Sequence, residues 1–409
     1  MQVIADLHLH SKYSRATSKN MDLENIEHYA KIKGLNLITT ADFTHPLWFR
    51  EIKEKLEEQD GILYGKKGMP FLLTTEISLI YSKERQRRVH LLVFAPSLEH
   101  VKQINDVLGK KGRLDYDGRP IFGLSCVEFV DLMLSIDKKI LVVPAHCMTP
   151  WYGIFGSKSG FDRLSEAFED KTKFIYAVES GLSASPDMLW RLPEVRQINI
   201  VSFSDSHSFW PYRLGREATI FELSELSYDA IYEAIKTKPG EKSKNQIKAT
   251  IEVDPAYGKY HWDGHRDCGI KLSPREAEKL NNICPVCKKP LTIGVEHRIE
   301  EIADKPEGFR PINAKPFYKL LPLHELIANF YGQGLNSKKV NETANKLINE
   351  FKSELNALLK VDFNELKKVV KEKLAELIIK NRQGKIKVDP GYDGVYGKPL
   401  LNAEQKTLF

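Results

Sequence analysis

One pattern constrains this chain more than any other. Short apolar runs close, again and again, on a histidine or a carboxylate. The first run, residues 3–5, leads into Asp6-Leu7-His8-Leu9-His10. Side chains alternate faces along a strand, so His8 and His10 point the same way and can hold one metal ion together. Further apolar runs cover 35–40, 71–80, 89–95, 140–144, 175–178 and 198–203, with helix-like segments such as 23–33 and part of 218–234 between them. Strands alternating with helices predict an α/β fold with a mostly parallel sheet, and seven such strands suit a closed β/α barrel. The runs carry Asp42, Glu76, His90, His146, Asp205 and His207 at or beside their ends. In β/α barrels the chemistry sits on the loops after the strands. One such residue alone is usually structural, whereas a succession of them in neighbouring units points to a metal centre. Neutral imidazole and carboxylate suit zinc, manganese and iron.

The chain has 409 residues, enough for two or three domains. Its 42% hydrophobic and 28% charged content is that of an ordinary globular protein. No apolar run reaches the length of a membrane span, and the N-terminus lacks the succession of a signal peptide, so a cytoplasmic location is expected. Abundant Lys, Glu and Ile fit a thermophilic source. Net charge is +6, and residues 335–388 alone hold 13 Lys and Arg against 7 Asp and Glu. That excess favours a polyanionic partner only weakly, because a basic helical face is more often just solvated.

Residues 236–248 read as a linker. Beyond it, three of the five cysteines cluster. His265 and Cys268 are separated by two residues, and Cys284-Pro285-Val286-Cys287 follows about sixteen residues later. In a cytoplasmic chain this spacing predicts a closed, structural Cys3His zinc site. His261 and His297 compete with His265 for the fourth place, and His265 has the better knuckle spacing. Residues 315–334 suggest a helix stopped at Gly332 and Gly334. Apolar spacing of three and four over 340–358 and again over 363–377 predicts a helical hairpin broken at 360–362.

The order HxH, Asp42, Glu76, His90, His146 and Asp205-Ser206-His207 resembles the PHP (polymerase and histidinol phosphatase) superfamily. The resemblance covers about 1–240. It implies a distorted seven-unit β/α barrel, TIM-like, that hydrolyses phosphoesters with up to three metals. Carried over residue by residue, one metal falls to His8, His10, Glu76 and Asp205. Glu76 bridges to another, held also by His90 and His146. The remaining position departs from the superfamily. Arg15 stands where an acidic residue or His is usual and offers no lone pair, and Phe43 stands where His is usual. His45 either replaces Phe43 or caps the loop before Pro46. Two catalytic metals are therefore expected, zinc with magnesium or manganese as alternatives. Asp205, Glu76 and His207 carry the chemistry, with His207 either a weak ligand or a contact to the scissile phosphate. Arg15 is expected to bind phosphate.

Within the superfamily, residues 11–18, 149–162 and 204–208 resemble the endonuclease Q branch, as does the turn-rich stretch 387–397. That resemblance implies a repair nuclease that cuts duplex DNA 5′ of deaminated bases (uracil, hypoxanthine, xanthine) and of abasic sites. It also implies a place with the nucleoid of a prokaryote. Residues 149–162 form a long loop directly after His146, mixing Gly, Ser and Lys with aromatics. Gly permits close approach of backbone to ligand, and aromatics stack on an extruded base. The expected contacts to substrate are Trp151, Tyr152, Phe155, Ser157, Lys158, Ser159 and Phe161 of this loop, with Arg15, Arg87, Arg88, Trp190 and Arg191.

The expected divisions are a catalytic barrel over 1–240, a zinc module over 250–310, a C-terminal helical region over 311–400 and a tail over 401–409. In the tail, Gln405 and Leu408 match the start of a sliding-clamp-binding peptide, though an ordinary frayed tail is the simpler reading. A monomer is expected. Two rival readings remain at this level: a phosphatase of small phosphate monoesters, and a DNA-binding protein that has lost its nuclease centre. The zinc module and the basic helices argue against the first, and the intact ligand series argues against the second.

Overall fold

The computed structural model describes residues 1–400. The clamp-binding start expected at Gln405 lies outside the described residues. The architecture is mixed α/β. Ten strands position the site: β1 (Gln2–Asp6), β2 (Leu37–Thr39), β3 (Pro70–Leu72), β4 (Thr74–Lys83), β5 (Arg85–Phe94), β6 (Leu141–Pro144), β7 (Ala177–Glu179), β8 (Asn199–Val201), β9 (Ala218–Glu222) and β10 (Gln246–Glu252).

β1 lies at the middle of an eight-stranded sheet. It runs parallel to β2, with Ala5 opposite Leu37, and antiparallel to β9, with Ile4 opposite Ile220. β4, β5 and β6 form a second sheet, and β7 pairs with β8 in parallel. Val3, Ala5, Leu37, Leu92, Val143, Ala177, Val201 and Phe221, from every one of these strands but β4, share one buried apolar cluster.

The mostly parallel sheet expected from the apolar runs is present only in part, in the parallel pairings of β1 with β2, β2 with β3 and β7 with β8. β4 and β5 are an antiparallel hairpin, Thr74 facing Phe94 and Lys83 facing Arg85. Only Glu84 separates them, in left-handed conformation at φ 60°. A parallel crossover needs a dozen residues or more, so one residue leaves only the hairpin. Glu76 and His90 therefore lie within paired strands rather than in loops after them. β10 likewise pairs antiparallel with β9, so 246–248, expected as linker, are strand.

The first helix, α1 (Leu23–Lys33), begins on Asp22, whose carboxylate accepts from the Asn25 N–H, and ends on Gly34 at φ 97°. Its last residue is unusual. Lys33 is 1% exposed, and its Nζ donates to Glu354 Oε1 and to the Pro211 carbonyl, both at 2.7 Å. Glu354 is wholly buried and also accepts from the Leu323 N–H at 3.1 Å. This pair joins the N-terminal α/β unit to the C-terminal helices. Removing one partner of such a pair leaves an uncompensated buried charge, which costs about 3–5 kcal/mol. Lys33→Met is therefore expected to lower unfolding stability by about that much, read from urea melts. Lys33→Met with Glu354→Gln should recover part of the loss, and a single variant as stable as the parent would refute the assignment.

The C-terminal region is not the expected hairpin of two long helices. Five helices span Leu323–Tyr331, Lys338–Phe351, Glu354–Leu359, Phe363–Val369 and Glu372–Arg382. They enclose a core that includes Leu326, Val340, Leu347, Leu366, Leu374 and Ile378. The expected break at 360–362 is present. Another falls at Lys352, which turns left-handed at φ 68°, after which Ser353 caps the next helix by accepting from Asn356 N–H. A third falls at Val370, whose backbone is extended. The chain then returns to the cysteine-bearing module, where Gly391 N–H donates to Ala256 O at 2.8 Å. Among the described residues no helix is long and apolar enough to cross a membrane.

Candidate metal centre

Two groups of ligand atoms meet where β1, β4, β5 and β6 converge. His8, His10, Glu76 and Asp205 form one, and Glu76, His90 and His146 the other, with the atoms of each within 4.8 Å of one another. Glu76 serves both. Its Oε1 lies 2.8 Å from His90 Nδ1 and 3.0 Å from His146 Nε2. Its Oε2 lies 3.2 Å from His10 Nε2 and 3.6 Å from His8 Nε2. Asp205 Oδ1 completes the first group, 3.1 Å from His10 Nε2 and 3.5 Å from His8 Nε2.

The far nitrogen of each leading histidine is held by a carboxylate. His8 Nδ1 lies 2.9 Å from Glu179 Oε1. His10 Nδ1 lies 3.2 Å from Asp42 Oδ1, and Asp42 is fixed in turn by the Ser11 N–H and the Ser14 hydroxyl. A carboxylate on one ring nitrogen fixes the tautomer and turns the other lone pair toward a metal. His8 Nε2, His10 Nε2 and Asp205 Oδ1 are buried and make no hydrogen bond. Buried polar atoms converging without partners suit a cation, and this donor set fits divalent zinc, manganese or iron. Asp42, His146 and Asp205 all sit at positive φ, between 28° and 46°. Strain of this kind concentrates at functional sites.

Electrostatics agrees with the geometry. Burial opposes charge on His8, yet Glu179, Glu76 and Asp205 raise its pKa well above the usual value. On His10 burial again opposes charge, while the neighbouring Asp205, Asp42 and Glu76 carboxylates raise its pKa well above the usual value. Burial works against the Glu76 carboxylate, but His90, Arg119 and His8 hold its pKa well below the usual range. Asp205 is held low by His8 and its neighbours despite burial. Burial pushes the His90 pKa down to about 3, against the pull of Glu76. Protons on His8 and His10 thus compete with a cation for the same nitrogens, so affinity for metal weakens as pH falls.

The remaining expected ligands lie elsewhere. His207 donates from Nδ1 to the Asp205 carbonyl at 3.0 Å, and its ring centre is 4.4 Å from that of His10. It borders the centre without joining either group. Phe43 is fully buried. His45 stacks on Tyr13 at 4.3 Å, and its side chain does not cap the helix Pro46–Lys55. The Arg15 side chain is 75% exposed, with Nε 3.5 Å from Asp117. The space beside Asp42 is filled by Ser14 and Gly118, where a Cβ on Gly118 would overlap the Ser14 hydroxyl and the Asp42 carboxylate.

The loop 149–162 is compact. Phe155 N–H donates to Cys147 O at 2.8 Å and Phe161 N–H to Ile154 O at 2.7 Å. Phe155 and Phe161 are buried in the core, so they face no ligand, contrary to expectation. Arg87 is also buried; its guanidinium bonds the Gly160 carbonyl and lies 4.0 Å over the Phe161 ring. Arg191 is spent on Glu300, two bonds of 2.9 Å, and Trp190 is buried beside it. These two arginines brace the fold, because buried guanidinium must be satisfied by carbonyl or carboxylate. Ser159 and Ser157 bond the carbonyls of Arg88 and Ile293. Trp151 and Lys158 are exposed, Arg88 is half-buried, and Tyr152 stacks on His90 at 4.2 Å. Sequence reasoning missed Glu179 as the partner of His8, although it ends the strand Ala177–Glu179. It missed Arg119 altogether.

His265, Cys268, Cys284 and Cys287 form a third group within 4.8 Å. Three thiols and one imidazole fit a closed tetrahedral zinc site. His297 is instead bonded to Asp263 at 2.6 Å, and neither it nor His261 joins the group.

Residues 322–385 match the family described as the MJ0043 C-terminal domain. The chain is 36% identical over 261 residues to the uncharacterized protein MJ0043 of Methanocaldococcus jannaschii, covering 62% of this chain and 31% of that protein. It thus spans about a third of that relative's length. It is 29% identical to the uncharacterized protein YqxK of Bacillus subtilis, over 97% of this chain and 99% of that one. The crystal structure of the lesion-specific endonuclease PfuEndoQ from Pyrococcus furiosus superposes with a TM-score of 0.88 and 34% identity, covering 99% of this chain and 96% of that one. An endonuclease Q complexed with a 27-mer duplex carrying an abasic lesion at its active site gives a TM-score of 0.88 and 33% identity, over 99% and 98%. With a third of its residues identical along nearly the full length of both chains, this chain belongs to the endonuclease Q family.

Proposed function

We propose that this chain is a metal-dependent DNA endonuclease that cuts the phosphodiester on the 5′ side of deaminated bases and abasic sites in duplex DNA. The observation that carries this reading is the shared carboxylate: Glu76 joins two buried ligand groups in a chain that matches a lesion-bound endonuclease over 99% of its length. Two divalent cations held there supply Lewis-acid chemistry at a phosphate and a nucleophile drawn from water. The chain's own residues set the geometry. Glu179 and Asp42 orient His8 and His10, while Glu76 and Asp205 face them with negative charge. His207, beside Asp205 and partly exposed, would meet the strand being cut.

We read the strand ladders as a distorted barrel. Bonds that bridge the separate ladders support this: Cys147 N–H to Glu179 O at 2.9 Å, and Ser202 N–H to the Thr219 hydroxyl at 2.9 Å. Residues about 255–300 form a module around a structural zinc, and the C-terminal helices a third part. Of the loop after His146, the exposed Trp151 is the surface for stacking on an extruded base. Extrusion costs a few kcal/mol and is easiest where pairing is weak.

The test is cleavage of duplexes bearing one deoxyuracil, deoxyinosine or abasic site, mapped at nucleotide resolution. A single cut 5′ of the lesion, absent from undamaged duplex and abolished by a chelator, is expected. Trp151→Ala should narrow the preference for lesion over normal duplex more than it weakens binding of normal duplex, which rests on phosphate contacts and falls with salt. Equal cutting of damaged and undamaged DNA, or turnover only of a small phosphate monoester, would overturn the reading.

A further inference from the structure

Arg119 is the cation that reaches the shared carboxylate. Its Nη1 lies 2.9 Å from Glu76 Oε2, the oxygen that faces His8 and His10. Among the described residues it is the only Lys or Arg within 4.0 Å of Glu76. The backbone that delivers it is fixed on both sides. Gly118 N–H donates to Tyr13 O at 3.2 Å, and Gly118 O accepts from the Thr44 hydroxyl at 3.3 Å. Arg119 N–H donates to Asp117 at 3.2 Å, and Pro120 O accepts from the Ser78 N–H at 3.0 Å. A turn closed against the Ser14–Asp42 pair thus aims a guanidinium at the centre, while the side chain keeps 27% of its surface open to solvent.

Charge shows what such a cation is for. Four carboxylates line the centre: Glu76 and Asp205 in the ligand groups, Asp42 and Glu179 behind them. Two divalent cations balance those four charges. Arg119 is then one positive charge in excess, and near two dications it is repelled unless an anion stands among them. Arg15 is paired with Asp117 and largely exposed, and the Arg216 guanidinium is bonded to the Ser204 carbonyl. A guanidinium fork matches two oxygens of a phosphate group.

We infer that Arg119 is the phosphate anchor of the centre, taking a non-bridging oxygen of the phosphodiester that is cut. This deepens the proposed function and rests on it for the nature of the substrate. The bland alternative is that Arg119 only steadies Glu76.

The experiment uses the full metal-loaded chain and inorganic phosphate as the probe, titrated by calorimetry, with metal content by mass spectrometry. In Arg119→Met the metals should stay at the parent's stoichiometry while affinity for phosphate falls at least about tenfold. Cleavage of lesion duplex should fall by about 10²-fold or more, as when one donor to a developing anion is removed. Arg119→Lys, which keeps the charge and loses the fork, should lie between, and it carries the comparison if Arg119→Met does not fold. Loss of metal from either variant would assign Arg119 to Glu76 and overturn the inference. So would unchanged phosphate affinity, or a parent protein that binds no phosphate. If the phosphate result holds but the parent cuts no lesion duplex, the anchor stands and the proposed function falls.

Discussion

Glu76→Gln is expected to lower cleavage of lesion-bearing duplex by on the order of 10³-fold or more, since the charge stabilisation supplied by bound cations is worth several kcal/mol. Among the described residues no other side chain belongs to both ligand groups. Gln keeps the shape of Glu but loses the negative charge, so both positions weaken together. Metal analysis should find the catalytic metals depleted and the module's zinc retained. Asp205→Asn should be selective by comparison, because Asp205 serves only the group with His8 and His10. Binding of undamaged duplex should change little in either variant. A Glu76→Gln protein with full metal content and activity within a few-fold of the parent would reject the centre as built here.

Cys284→Ser carries the second large effect. Cys284 is fully buried among Ala277 and Leu291, in a module with only a few apolar residues of its own. Structural zinc supplies folding free energy on the order of 10 kcal/mol in small modules, and this one has little else to replace it. One zinc should be lost per chain, and proteolysis should begin within about 260–300. The damage should spread inward. Arg298, on the helix Val295–Ile302, donates to the carbonyls of Phe155 at 3.0 Å and Phe161 at 3.2 Å. Loosening that helix frees the loop whose Tyr152 stacks on His90, so cleavage should drop although no catalytic ligand has changed. Unchanged zinc content would sink the assignment.

The residues that the fold gathers into the two candidate ligand groups were legible because His and carboxylates recur in order in or just after the apolar runs. His8, His10, Glu76, Asp205, His90 and His146 could be written down without a fold, and so could the Cys3His group. Direction was not legible. The apolar runs at 71–80 and 89–95 look alike whether parallel or antiparallel, and only the single residue between β4 and β5 decides. Solvent exposure was equally hidden. Phe155 and Phe161 sit among glycines and polar residues, a composition that suggests a surface loop. The tight approach at Gly153, Gly156 and Gly160 folds the loop on itself and turns both rings inward. Arg119 lies in a turn with no periodicity, and its role exists only because Gly118 permits backbone to touch Ser14 and Asp42. Likewise Lys33 reads as an ordinary cation at a helix end until Glu354, more than three hundred residues away, is seen against it.

That buried pair has a mechanical consequence. Lys33–Glu354 fixes the C-terminal helices to α1, and Arg191–Glu300 and Arg298 with the loop carbonyls weld the helix Val295–Ile302 to two segments of the N-terminal unit. A welded frame does not close like a jaw around its substrate. If the proposed function holds, the protein is the stiff member and the duplex the compliant one, so the deformation needed to seat a phosphate is borne by DNA. Discrimination then resides in how readily a given duplex yields, and an unpaired or weakly paired position yields first. Softening a seam should blunt that choice. The Lys33→Met protein, assayed below its melting temperature, is where the gap between damaged and undamaged duplex should narrow.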